Sequence, residues 1–188
     1  MGEFYDFFNR PFIDLQLPDP PEAQDVNFYL YTRLNPFHNV SLRWNNSEDI
    51  INSDYLNDSL PIKMLIHGYI NSENEAVQDE ESWMVPLKDA MLRHADLNVI
   101  LVYWRNRFPY ERSSVNTRVV GPMVAVQIQA IIAHSNATMD SFHLVGHSLG
   151  AHISGKGSRV LTKKETLLFT LFLLQATQAS SSATAASA

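Results

Sequence analysis

The stretch Phe142-His143-Leu144-Val145-Gly146-His147-Ser148-Leu149-Gly150-Ala151-His152 decides the fold. Ser141 to Val145 reads as a buried strand and the residues from about Ala151 as a helix, so Gly146 to Gly150 must turn one into the other. That segment fits G-x-S-x-G in the context where the motif carries chemistry. The turn is so tight that side chains flanking Ser148 would collide with the adjoining strand and helix, which is why glycine stands at both ends. Ser148 is thereby pushed out of the sheet, beside the unpaired N–H groups that open the following helix.

Working outward, Asn98 to Trp104 is nearly continuous apolar sequence, as expected of a parallel strand covered on both faces. Pro61 to Gly68 is an earlier β run, and Phe28 to Arg33 a short strand ahead of a turn at Asn35-Pro36, with Val40 to Trp44 able to pair back on it. Trp83, Leu87, Ala90, Met91 and His94 recur at helical spacing. Ser113 to His134 is helical again, with Val120, Val124, Ile128 and Ile131 on one stripe. Pro122 lies inside it and predicts a kink costing about 3 kcal/mol unless the helix restarts at Gly121. This alternation predicts an α/β fold with a mostly parallel sheet and helices on both faces.

Composition narrows the function classes. Of 188 residues, 45% are hydrophobic and 18% charged, which is globular rather than disordered or fibrous. A net charge of −6 and the lack of a Lys/Arg-rich run argue against nucleic acid as a partner. Cysteine is absent, which removes disulfides and thiolate metal sites and leans toward a reducing compartment. Four N-x-[S/T] sequons, at Asn39, Asn45, Asn57 and Asn136, lean the other way. Met1 to Arg10 has no signal-peptide character. The His and acid residues lack metal-ligand spacing, so neither a metal nor an organic cofactor is expected.

A serine at such a turn needs donors for the oxyanion that its attack creates. One comes from the residue after the nucleophile, here Leu149, and the other from the loop after an earlier strand, here Ile66-His67-Gly68-Tyr69, which makes the Tyr69 N–H the matching candidate.

The run Gly146 to His152 resembles the nucleophile signature of the pancreatic-lipase family of neutral lipases and phospholipases A1, within the α/β-hydrolase superfamily. Four other stretches agree in order and spacing: Phe28 to Arg33 with Asn35-Pro36, Leu65 to Tyr69, Asn98 to Arg105, and Asn116 to Gly121. The resemblance covers about Phe4 to Gly157. It implies an extracellular carboxylic ester hydrolase acting on acylglycerols or phospholipids at a lipid–water interface, with Ser148 as nucleophile and Tyr69 and Leu149 as backbone oxyanion donors. It also implies an aspartate roughly two dozen residues after the serine, at the end of the next strand, and a histidine farther on.

The pattern breaks there. The corresponding stretch runs through Leu171-Phe172-Leu173, no Asp follows Ser148, and His152 is the sole later histidine. No triad Asp or His is assigned, and the chain as given is expected to be inactive, since a serine without a base is a poor nucleophile. His152, His67 and His147 read better as packing or hydrogen-bonded structural histidines. Tyr103 stands where the family shows Asp before Trp, so a polar anchor is expected to be missing. Residues 1–158 are read as a truncated lipase-like domain and 159–188 as a divergent apolar, then Ala/Ser/Thr-rich, disordered tail. Phe142, Leu144 and Val145 would then lie on a bare edge, unless the Leu167 to Leu174 run folds back on it. Two other readings stay open: a non-catalytic lipid-binding or storage relative of these lipases, and an unrelated α/β binding module.

Overall fold

The computed structural model describes residues 17–69, 83–161 and 168–172. Six strands form one sheet: β1 (Asn27–Tyr31), β2 (Val40–Ser41), β3 (Ile62–Ile66), β4 (Asn98–Tyr103), β5 (Phe142–His147) and β6 (Leu168–Phe172), in the order β2-β1-β4-β3-β5-β6. β4, β3, β5 and β6 are parallel; β1 runs antiparallel to β4, with β2 antiparallel at its outer side. The helices are α1 (Glu48–Ile51), α2 (Met84–His94), α3 (Tyr110–Ala133) and α4 (Leu149–Leu161).

Strand periodicity divides the core in two. Ile62, Met64 and Ile66 of β3, with Ile100 and Val102 of β4, face one layer, where Val120, Val124, Ile128 and Ile131 of α3 and Ile153 of α4 meet them. Leu65, Val99, Leu101 and Val145 face the other, against Met84 and Leu92 of α2. Both faces are covered, and this is why the strands are apolar throughout rather than alternating. Each such fully buried side chain contributes roughly 1.5–3 kcal/mol.

The structure corrects four expectations. α3 begins at Tyr110 rather than Ser113; Ser113 is buried, its hydroxyl donating to the Arg107 carbonyl and accepting from the Arg107 N–H. α3 also continues through Pro122 without restarting. The carbonyl that proline deprives of a donor belongs to Arg118, an exposed residue, where water can replace the lost bond. Gly121 is needed for contact with α4 instead: a Cβ there would stand 2.7 Å from the Lys156 Cβ and 3.0 Å from the Ile153 carbonyl.

On α2 the fully buried line is Met84, Lys88 and Leu92, with Trp83, Leu87 and Met91 of the expected stripe partly buried beside it. A buried lysine is tolerated because its Nζ donates to the Pro36 carbonyl (2.6 Å), pairs with Asp89 (2.6 Å) and lies 4.5 Å from the centre of the Tyr31 ring. The sequence pattern hid it, since charge normally marks the solvent face.

The last correction concerns the edge. α4 runs to Leu161, past the expected boundary at 158, and Leu168–Phe172 pairs with β5 in parallel register from His143↔Leu168 to His147↔Phe172. β5 is therefore an interior strand. The rest of the tail lies outside the described residues.

Candidate active site

Ser148 sits between β5 and α4 with φ = 54°, a left-handed conformation that costs a non-glycine residue roughly 1–3 kcal/mol. Glycines on both sides make that turn possible. A Cβ on Gly146 would run into the Gly150 carbonyl, and one on Gly150 into the backbone carbonyls of Ile66 and His67 at the end of β3. The second collision ties the turn to the neighbouring strand.

Gly68 completes the junction from the other side. A Cβ at Gly68 would stand 2.7 Å from the Ser148 Cβ and from the His147 carbonyl, and 3.3 Å from the Leu149 nitrogen. The loop after β3 thus lies directly against the serine and against the first N–H of α4, which has no acceptor within the helix. Tyr69 follows immediately, half-buried, its ring meeting the Tyr110 ring edge-on at 5.2 Å. Ser148 and Leu149 meet Gly68 at the carboxyl ends of β3 and β5, with Tyr69 the next residue along the loop.

His67 is held rather than available. The Trp104 backbone N–H donates to its Nε2 (3.1 Å), so that nitrogen must be the unprotonated one, and Nδ1–H donates to the Gly68 carbonyl (2.7 Å). The Trp104 indole N–H donates to the His67 carbonyl (2.9 Å), and the two rings stack with centroids 5.7 Å apart. Burial pushes the imidazole pKa down to about 4, against a smaller upward pull from the Gly68 carbonyl. His67 is therefore a neutral brace that fixes the loop carrying Gly68 and Tyr69. The Tyr103 position, expected to lack a polar anchor, packs its ring against His67 and Tyr29, and the polar link across β3 and β4 is supplied by Trp104. Sequence reading did not single out Trp104; its place at the end of the apolar β4 run was the only signal.

The other histidines are engaged elsewhere or exposed, and none is hydrogen-bonded to the serine hydroxyl. His147 lies edge-on to the Trp83 ring at 6.0 Å, His152 is exposed on α4, and His143 sits at the far end of β5, where its Nδ1 is 3.2 Å from the Lys63 Nζ. Among the described residues the Ser148 hydroxyl makes no hydrogen bond. At the carboxyl end of β6, beside His147, the register places Phe172.

A family model described as Lipase matches residues 8–169, past Gly157 and into β6. The chain is 32% identical over 146 residues to pancreatic lipase-related protein 2 of Mus musculus, which covers 77% of this chain and 29% of that protein. It is 35% identical over 145 residues to pancreatic triacylglycerol lipase of Cavia porcellus, covering 76% and 30%. It is 34% identical over 146 residues to inactive pancreatic lipase-related protein 1 of Mus musculus, covering 76% and 29%. The chain spans about three tenths of the length of these relatives. One of them is named inactive at the same level of identity, so likeness alone does not decide turnover. With its β3 loop, Ser148 turn and α4 all inside the matched span, the chain belongs to the lipase family.

Proposed function

We propose that these residues form the nucleophile and oxyanion half of a carboxylic ester hydrolase acting on acylglycerols or phospholipids outside the cell, at a lipid–water interface. Ser148 is the attacking group, and the N–H groups of Tyr69 and Leu149 receive the negative charge that develops on the ester carbonyl oxygen. The supporting observation is the contact of Gly68 with Ser148 and Leu149, which makes the β3 loop and the strained turn one site. Each such donor is worth roughly 3 kcal/mol of barrier lowering.

Among the described residues no side chain stands as the proton-accepting half. His67 has both ring nitrogens committed, His152 is exposed and unbonded to Ser148, and no Asp follows the serine. Purified alone, the chain should hydrolyse a short-chain p-nitrophenyl ester no faster than its Ser148→Ala variant. Joining residues 1–161 to the corresponding C-terminal part of a pancreatic triacylglycerol lipase should restore Ser148-dependent hydrolysis, by several powers of ten over the Ser148→Ala chimera. A folded chimera that binds lipid but shows no such turnover would overturn this reading. It would favour the non-catalytic lipid-binding one.

A further inference from the structure

The four sequons take no part in the site, yet their placement is not scattered. Asn39, Asn45, Asn57 and Asn136 are all exposed. Three of them share one end of the sheet, and it is the end opposite Ser148.

The register establishes this. Ser148 follows the carboxyl end of β5, beside the carboxyl ends of β3 and β4. Tyr31 pairs with Val99 near the amino end of β4, and Asn39 directly precedes β2, with its side-chain amide 3.5 Å from the Tyr31 hydroxyl. The Asn57 N–H donates to the Asn98 side chain (3.1 Å), and the Asn98 amide donates back to the Asn57 carbonyl (2.7 Å); Asn98 is the first residue of β4. Asn136 leads toward the amino end of β5, and both its backbone N–H (2.8 Å) and its Nδ2 (2.9 Å) donate to Asp58, the neighbour of Asn57. The length of a strand, roughly 16 Å, separates this end from the serine.

We propose that Asn39, Asn57 and Asn136 are N-glycosylation sites that form a sugar-bearing end, leaving the Ser148 end bare for lipid. This rests on the reading that the protein is exported. In the transfer, Nδ2 bonds to the anomeric carbon of a lipid-pyrophosphate-linked oligosaccharide, that carbon's bond to the pyrophosphate oxygen breaks, and the amide loses one proton. The second amide proton remains on Nδ2, and the Asn136 backbone N–H bond to Asp58 is untouched by the transfer. Exposure at all three positions means that a bulky, hydrated substituent displaces no packed side chain. It also shields the neighbourhood of β2, the outermost strand, from pairing with another chain.

The test is to express the full chain behind a supplied secretion leader in insect cells, in an Asn45→Gln background, and to read intact mass before and after enzymatic deglycosylation. Three glycans are expected, with Asn39→Gln, Asn57→Gln and Asn136→Gln each removing one. A bare asparagine at any of the three overturns the proposal. Transfer to sequons occurs on the growing chain, so a failure to fold does not mask the result. Because the leader is supplied and Ser148 is not involved, failure here is distinct from failure of the catalytic reading. That reading is tested by the chimera, and natural export by whether the protein's own gene product reaches the medium.

Discussion

The two sides of Ser148 differ in how they are built. On the side facing the β3 loop the contacts are mainly backbone: Gly68, Gly146 and Gly150 lie against carbonyls or the serine itself, braced by a neutral His67 side chain locked between Trp104 and Gly68. On the side where a base must stand, the described residues offer an exposed His152, a His147 turned against Trp83, and a strand end occupied by Phe172. The contrast teaches that an oxyanion pocket is a local product of strand, turn and helix. A proton relay depends on side chains delivered by later strands and loops. Close packing of β3 against β5 would fix the first and does nothing for the second.

Removing the last strand is the strongest way to break that comparison. A chain ending at Leu161 would strip β5 of its β6 partner and expose a row of backbone donors and acceptors beside apolar residues. We expect most of the shortened protein to aggregate, with a monomer fraction by size-exclusion chromatography well below that of the 188-residue chain. An equally monodisperse product would mean that β6 contributes nothing to closing the sheet.

Next comes the glycine contact. Gly150→Ala places a methyl group on the Ile66 and His67 carbonyls and should cost roughly 3 kcal/mol, read as a drop in the urea midpoint. Gly155→Ala, on the same helix but with no heavy atom within 4 Å, should instead stabilise by about 0.5–1 kcal/mol. Equal effects at the two positions would show that the β3 contact does not constrain the turn.

His67 sharpens the picture through pH. Its folded pKa of about 4 lies below the ordinary 6.5, so the unfolded state holds the extra proton between those values. The contribution is complete above about pH 6.5 and is lost progressively as pH falls toward 4, by about 3 kcal/mol in total. In His67→Gln the stability difference between pH 7 and pH 4.5 should shrink. An unchanged pH profile would mean that the imidazole titrates freely and is not the neutral brace described. The smallest effect belongs to His152→Ala, which should shift stability by less than about 0.5 kcal/mol and leave the chimera's turnover unchanged. A large loss of turnover would place a base on α4 after all.

Much of this was legible before the structure. The strand and helix around Ser148, the apolar β4 and the Val120 to Ile131 stripe of α3 follow from periodicity and from the steric demands of one turn. The centre of the α2 face was not legible because Lys88 is buried among partners from distant parts of the chain, Pro36 and Tyr31. β6 was legible only as a run able to fold back on β5, because an apolar run of eight residues in a biased tail becomes a strand only when a neighbour offers an edge.

By itself the sequence determined the strand–turn–helix at Gly146 to Gly150, the alternation that makes the sheet parallel, and that no Asp stands between residues 149 and 188. These are properties of neighbouring residues or of simple counting. Only the tertiary structure decided that Gly68 lies against Ser148 and that His67 is locked by a residue 37 positions away. It likewise decided that β5 is covered on its outer side by β6. The physical reason is that short-range sterics act within a turn, whereas a histidine's tautomer, a glycine's closest contact and an edge strand's partner are set by what the fold brings beside them.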